Sequence, residues 1–162
     1  MIDDIWMEKA LLLAERAAQN SEIPVGAIVV LDEQIIGEGF NAPISSCDPT
    51  AHAEIQAIRD ACQKMENYRL PDATLYVTLE PCSMCADTIV HSRIARLVYG
   101  AREPKSGVVE SQGVFFDAPF LNHKVEFRSG VLADQASLQL TQFFKYRREQ
   151  KKKIKQLTTK AL

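Results

Sequence analysis

The sequence lacks the features that would carry a chain through a membrane or staple it in an oxidising compartment. No apolar run approaches the roughly 20 residues that span a bilayer. The N-terminus reads Met1-Ile2-Asp3-Asp4, without the basic start, apolar stretch and small-residue cleavage site of a secretory signal. A cytoplasmic protein without a membrane partner is therefore expected. There is no internal repeat, low-complexity tract or Gly/Ser linker, so residues 1–162 read as a single domain. Cysteine is sparse: Cys47, Cys62, Cys82 and Cys85. In a cytosolic domain of this size four cysteines point to metal binding or catalysis rather than to disulfides.

What is present supports a globular domain with its own core. Apolar residues make up 46 % of the chain and charged residues 25 %, ordinary proportions for a folded soluble domain. The net charge of −2 hides an uneven distribution. The stretch 145–160 carries Lys145, Arg147, Arg148, Lys151, Lys152, Lys153, Lys155 and Lys160 against Glu149 alone, which leaves the body acidic. A basic C-terminal helix at about 145–160 suits an anionic partner. It also suits a solvated helix end whose lysines complement the helix dipole, and charge alone does not separate the two.

Hydrophobic spacing predicts a helix over 3–19, with Ile5, Trp6, Leu13 and Ala17 as one face. Strands are expected over 25–31 and 34–40, with Asp32-Glu33 as the turn of a hairpin. A polar loop spans 41–50, and a helix follows from 52 to about 65 with Thr50 as its N-cap. The β-branched run 73–79 reads as a buried strand ended by Glu80-Pro81. A short helix at about 83–92 and a buried strand at 95–99, capped by Gly100, come next. After a long connection over 101–123, residues 124–128 alternate as a strand, and a last helix starts near Val131. Strands alternating with helices predict a three-layer α/β/α domain. Its first strand pair is antiparallel and its later strands parallel.

Two short motifs carry the chemistry. His52-Ala53-Glu54 opens one predicted helix and Pro81-Cys82-Ser83-Met84-Cys85 opens another. Helix N-termini at the end of a sheet are where ligands gather in α/β domains, and a helix dipole favours thiolate over thiol. His52, Cys82 and Cys85 form a three-ligand set, and no second C-x-x-C or nearby histidine pair supplies a fourth ligand. Cys47 could in principle add one, but it belongs to no motif. Three protein ligands leave zinc an open position for water, which the metal acidifies toward neutral pH. Glu54 is then placed to move protons. Each motif alone is weak evidence; their combination at two helix starts is not. Cys62 fits a buried thiol, and His91 and His123 fit ordinary hydrogen-bonded residues.

H-x-E followed by P-C-x-x-C is the signature of zinc-dependent nucleobase deaminases, and flanking blocks narrow the likeness. They include Ile23-Pro24-Val25-Gly26-Ala27, Gly37-Glu38-Gly39-Phe40-Asn41, Asp48-Pro49-Thr50-Ala51-His52-Ala53-Glu54-Ile55, Asn67-Tyr68-Arg69-Leu70, Ala73 through Cys82, His91-Ser92-Arg93-Ile94, Asn122-His123 and Phe143-Phe144. From about Ile23 to Arg148 the sequence resembles the bacterial tRNA-specific adenosine deaminases. The resemblance implies a cytidine-deaminase-like fold with a five-stranded mixed central sheet, and a homodimer. It implies one zinc ion per subunit on His52, Cys82 and Cys85, with Glu54 as proton shuttle. The implied reaction converts adenosine to inosine at the wobble position of a tRNA anticodon, through attack of zinc-bound hydroxide on C6 of adenine. Asn41 resembles the residue that contacts the target base or its ribose.

The chain departs from that family in two places. Glu103 in Arg102-Glu103-Pro104-Lys105 stands where Asp is common, and residues 112–116 differ from the usual Leu/Met-rich stretch. Glu103 and Lys105, on the long connection, are expected to face substrate, and Arg147 and Arg148 to meet phosphates of the tRNA anticodon arm. Splayed, single-stranded anticodon bases suit an enzyme that cannot reach a paired adenine. Tyr146 can stack on a base or pack on the body, and Phe115, Phe116 and Phe120 can serve core or dimer packing. Two other readings remain: a deaminase of free guanine or a nucleoside, and a non-catalytic RNA-binding protein with structural zinc.

Overall fold

A computed structural model describes residues 1–161 of the chain. Helix α1 (Ile2–Gln19) precedes a hairpin of β1 (Gly26–Leu31) and β2 (Gln34–Phe40). Then come α2 (Ala53–Met65), β3 (Thr74–Leu79), α3 (Ser83–His91), β4 (Arg96–Ala101), a short 3₁₀ turn at Phe115–Asp117, β5 (Glu126–Arg128) and α4 (Ala133–Lys160). The five strands form one mixed sheet in the order β2-β1-β3-β4-β5. Strand β1 runs antiparallel to both β2 and β3, and β3, β4 and β5 run parallel. The hairpin turns on Asp32 and Glu33, whose φ angles of 50° and 59° suit the tight turn that matches strand twist.

The sheet is buried on both faces, which explains why β1, β3 and β4 read as continuous apolar runs. Ile28, Val30, Tyr76 and Val98 meet Met7, Ala10 and Leu13 of α1, with Val131 just before α4. Ala27, Val29, Leu75, Val77, Leu97 and Tyr99 point the other way, into a larger core with Ala53, Ala57, Ile58 and Ala61 of α2 and Ile89 and Val90 of α3. This is the expected three-layer arrangement with its five-stranded mixed sheet.

Several local expectations change. The inward face of α1 is Met7, Ala10, Leu13, Ala14 and Ala17 together with Asp3, whereas Ile5 faces outward at 55 % exposure. An apolar side chain alone did not define the face, because Asp3 is buried for its charge. Its carboxylate accepts hydrogen bonds from the Tyr76 hydroxyl at 2.9 Å, from both Arg96 guanidinium nitrogens at 2.9 and 2.8 Å, and from Arg128 at 2.7 Å. The Arg96 guanidinium, with further help from Tyr76 and Arg128, holds the Asp3 carboxyl well below the usual carboxylate range. Thr50 is not the N-cap of α2; that position is His52, while the Thr50 hydroxyl and N–H both donate to Asp48. Strand β4 runs through Gly100 to Ala101, and β5 is a short, exposed edge.

Small residues bring α2 close to the sheet. A Cβ on Gly39 would lie 2.4 Å from the carbonyl oxygen of Ala53 and 2.5 Å from the nitrogen of Ala57, and one on Gly37 would meet the Ala57 carbonyl at 2.3 Å. Only glycine lets β2 and the helix backbone approach this closely. The start of α2, with His52 and Glu54 on either side of Ala53, is thus seated directly on the strand that ends just before Asn41.

Candidate metal centre and active-site cleft

The ends of β2 and β3 and the starts of α2 and α3 converge at one end of the sheet. His52 and Cys82 are the N-cap residues of α2 and α3, both in extended conformation, and neither side chain caps its own helix. Their side chains are left to face each other, and Cys85, in the first turn of α3, is fully buried beside them. His52 Nδ1 lies 3.6 Å from Cys82 Sγ and 3.5 Å from Cys85 Sγ, and the three ligand atoms lie within 4.8 Å of one another. Zinc–nitrogen and zinc–sulfur bonds of about 2.05 and 2.3 Å at a tetrahedral angle put N and S about 3.6 Å apart. The group therefore fits one tetrahedral zinc ion. Among the described residues the group has three members; Cys47 is exposed and its thiol turns to the Ile44 carbonyl at 3.7 Å.

The donors influence one another before any metal is considered. The Cys85 thiol, with help from His52, stabilises the Cys82 thiolate and draws its pKa down to about 4. Cys85 moves the other way, held protonated by its bond to Cys82 and by burial. The thiolate beside it also raises His52. A metal entering this group must displace the Cys85 proton, so its binding releases protons. Glu54 is 4 % exposed, and burial pushes its carboxyl up despite its own backbone N–H, the Cys85 thiol and His52. A carboxyl raised in this way suits a group that must both accept and return a proton.

A cleft of about 220 Å³ opens over these residues, lined by His52, Glu54, Cys82, Asn41, Glu103 and Phe144 among others. It is smaller than the roughly 300–1,000 Å³ of sites that enclose a drug-sized ligand, so it suits one flat ring, with the rest of a larger substrate lying outside. Asn41 Oδ1 accepts the Ala53 N–H at 2.9 Å, which seats α2 and leaves the Asn41 amide NH₂ for a ligand. Glu103 lines the cleft, with Oε1 accepting the Lys105 N–H at 3.0 Å. Lys105 is exposed and does not line the cleft. Arg147 is half-buried with its guanidinium 5.5 Å from the Phe143 ring centroid, and Arg148 is exposed on α4. Both follow Phe144 by about one helical turn, so they flank the cleft without entering it. Phe115 and Phe116 pack on the core, whereas Phe120 is 76 % exposed. Tyr146 is exposed.

Three contributions were not visible in the sequence. Leu140 and Phe144 of α4 wall the cleft with apolar surface. Glu22, 1 % exposed, accepts the N–H groups of Ile44 and Ser45 and the Ser45 hydroxyl at 2.7–3.2 Å and so pins the loop after Asn41. Burial alone would raise the Glu22 carboxyl; these bonds, aided by Arg147, hold it below its ordinary value. Glu80, 3 % exposed, is likewise held down against its burial by bonds from Glu110, Ser111 and Glu103. A strand-ending Glu before Pro-Cys was the only signal for Glu80, and it read as punctuation.

The chain matches a family model described as the cytidine and deoxycytidylate deaminase zinc-binding region over residues 1–101. It is 54 % identical over 151 residues to a Haemophilus influenzae protein named tRNA-specific adenosine deaminase, covering 93 % of this chain and 87 % of that protein. Among solved structures, one from work on A-to-I editing by tRNA:A34 deaminases at the wobble position of transfer RNA superposes with a TM-score of 0.81 at 46 % identity. That match covers 83 % of this chain and 98 % of the other. A guanine deaminase from Nitrosomonas europaea superposes with a TM-score of 0.75 at 22 % identity, over 86 % of this chain and 83 % of that one, a likeness of fold alone.

Proposed function

The chain belongs to the zinc-binding cytidine and deoxycytidylate deaminase family, alongside the tRNA-specific adenosine deaminases, and from that premise we propose its reaction and the residues that perform it. It hydrolytically deaminates adenosine to inosine at the wobble position of a tRNA anticodon. The observation that carries the reading is the His52–Cys82–Cys85 group beside buried Glu54 at the base of a ring-sized cleft.

His52 Nδ1, Cys82 Sγ and Cys85 Sγ would hold one zinc ion per subunit. When bound, zinc supplies a water acidified toward neutral pH. Glu54 takes a proton from the attacking water and gives it to adenine N1, then takes a second from the new C6 hydroxyl and gives it to the C6 amino group, which departs as ammonia. Its burial favours this, since a carboxylate whose pKa is raised is a stronger base toward the attacking water, and its acid form still protonates more basic groups. The Asn41 amide orients the base or its ribose, and its bond to the Ala53 N–H ties that contact to the helix that carries His52 and Glu54. Leu140 and Phe144 keep water from the ring.

Glu103 at the mouth of the cleft and Lys105 outside it meet nucleotides flanking the target, and Arg147 and Arg148 meet phosphates of the anticodon arm. The basic face of α4 continues from there to Lys160. We read the whole chain as one deaminase domain that works in the cytoplasm as a homodimer. Exposed Phe120 supports the dimer. Among the described residues no helix is long and apolar enough to cross a membrane.

The test is a comparison of an anticodon stem-loop bearing adenosine at the wobble position with free guanine, adenosine and cytidine. Inosine in the RNA with no turnover of the small molecules is the expected result. Turnover of free guanine or a nucleoside without inosine in the RNA would assign the site to a small-molecule deaminase instead.

A further inference from the structure

We propose that Glu80 is the positioning residue that folds the 103–111 loop and sets Glu103 at the mouth of the cleft. The inference rests on the RNA-deaminase reading for its kinetic consequence, but not for its structural one. Glu80 follows β3 and precedes Pro81-Cys82, so its backbone is joined to a ligand of the metal group. Its carboxylate is buried at the edge of the cleft and takes its donors from the long connection after β4. Oε1 accepts the Glu103 N–H at 3.1 Å and the Ser111 hydroxyl in a short hydrogen bond. Oε2 accepts the N–H groups of Val109, Glu110 and Ser111 at 3.1, 2.9 and 3.0 Å.

One carboxylate therefore receives five donors, all from the same loop. The chain wraps so closely that a Cβ on Gly107 would lie 2.5 Å from the Glu80 carboxyl carbon. The loop is tied once more to the metal segment, where the Val108 N–H donates to the Pro81 carbonyl at 3.1 Å. Residues 102–111 contain no helix or strand to satisfy their own N–H groups. Unpaired backbone donors in a buried turn are costly, and Glu80 supplies the acceptors. Glu103, whose N–H is one of the five donors, thereby has its backbone fixed where its side chain lines the cleft. Lys105 follows through its own N–H bond to Glu103.

Glu80 is thus the residue through which the contact loop and the metal segment share one geometry. It makes no contribution to the chemistry at the reacting atoms; its effect passes through Glu103.

The experiment uses the full-length zinc-loaded protein and four variants: Glu80→Gln, Glu103→Gln, the double variant, and Gly107→Ala. Glutamine keeps the shape but offers one acceptor oxygen. With that oxygen on the Val109–Ser111 donors, its NH₂ faces the Glu103 N–H and that bond is lost. Hydrogen exchange of the Glu103 amide, read without any substrate, should accelerate at least about tenfold in Glu80→Gln, since a donor bonded to a charge gives up one of the stronger hydrogen bonds. On the anticodon stem-loop, kcat/KM should fall by about tenfold to a hundredfold, and by the same factor in Glu103→Gln. The double variant should be no worse than Glu103→Gln alone, the mark of one residue acting through another. Gly107→Ala, which pushes the loop off an intact Glu80, should behave like Glu80→Gln. Zinc content should stay near wild type in Glu80→Gln, while the melting midpoint falls by a few degrees.

Unchanged exchange at Glu103 overturns the proposal whatever the substrate. So does a double variant whose losses multiply, or an activity loss that merely follows zinc loss, because each makes Glu80 a general structural residue. A wild-type protein that forms no inosine overturns the RNA reading instead, and the exchange measurement then decides the fate of the loop assignment by itself.

Discussion

The glycine at position 39 offers a quantitative test of how the fold holds the site. In Gly39→Ala the new Cβ would lie 2.4 Å from the Ala53 carbonyl oxygen and 2.5 Å from the Ala57 nitrogen, where ordinary contact begins at 3.4 Å. Both neighbours are helix backbone, so no side chain can swing aside. Helix α2 must retreat by about 1 Å, and Ala53 sits between His52 and Glu54. Overpacking of this kind costs about 1–3 kcal/mol, which lowers the melting midpoint of a chain this size by about 2–12 °C. The catalytic cost should be larger in proportion, since a misplacement of about 1 Å costs on the order of a hundredfold in rate. The assay is single-turnover inosine formation on the anticodon stem-loop, with melting and zinc content measured on the same sample. A variant that melts measurably lower, retains zinc and loses about two orders of magnitude in rate fits the account. Wild-type rate and wild-type melting together would refute the claim that this close approach sets the geometry of the site.

Two further outcomes follow from the charges. Removing the Asp3 carboxylate in Asp3→Ala should cost about 2 kcal/mol at pH 7, a modest figure because the side chains of Arg96 and Arg128 keep 35 % and 53 % of their exposure. In the unfolded chain Asp3 titrates near 3.8, and in the fold it titrates lower. The stability difference between wild type and variant should therefore be complete above about pH 4 and shrink as the pH falls toward the folded value; urea denaturation across that range checks it, and a gap that grows on acidification contradicts it. Neutralising Lys145, Arg147 and Arg148 should raise KM for RNA and flatten the slope of log KM against log salt by up to about 2, at about 0.7 per phosphate contact on a single strand. Unchanged salt dependence would make this part of α4 a solvated helix end.

Much of the fold was legible because its periodicities are undisturbed. The buried runs of β1, β3 and β4 and the hairpin at Asp32-Glu33 lie where the sequence predicts them. The metal group was legible for a chemical reason: His and Cys at two helix starts have few other uses in combination. The carboxylates that organise the chain were not legible. Asp3, Glu22 and Glu80 are buried acceptors whose partners lie far away in sequence, at Arg96 and Arg128, at Ile44 and Ser45, and at Glu103 to Ser111. A lone Asp or Glu reads as surface or punctuation until the fold shows which donors surround it. Thr50 misled for a similar reason, because a competing acceptor, Asp48, took its hydroxyl while His52 became the cap.

The most direct measurement is inosine mapping on an anticodon stem-loop treated with zinc-loaded wild type and with Glu54→Gln. The account predicts inosine at the wobble position with wild type, and no turnover with Glu54→Gln while zinc stays bound. Inosine formation by Glu54→Gln at the wild-type rate, or RNA bound by wild type without deamination, would contradict it.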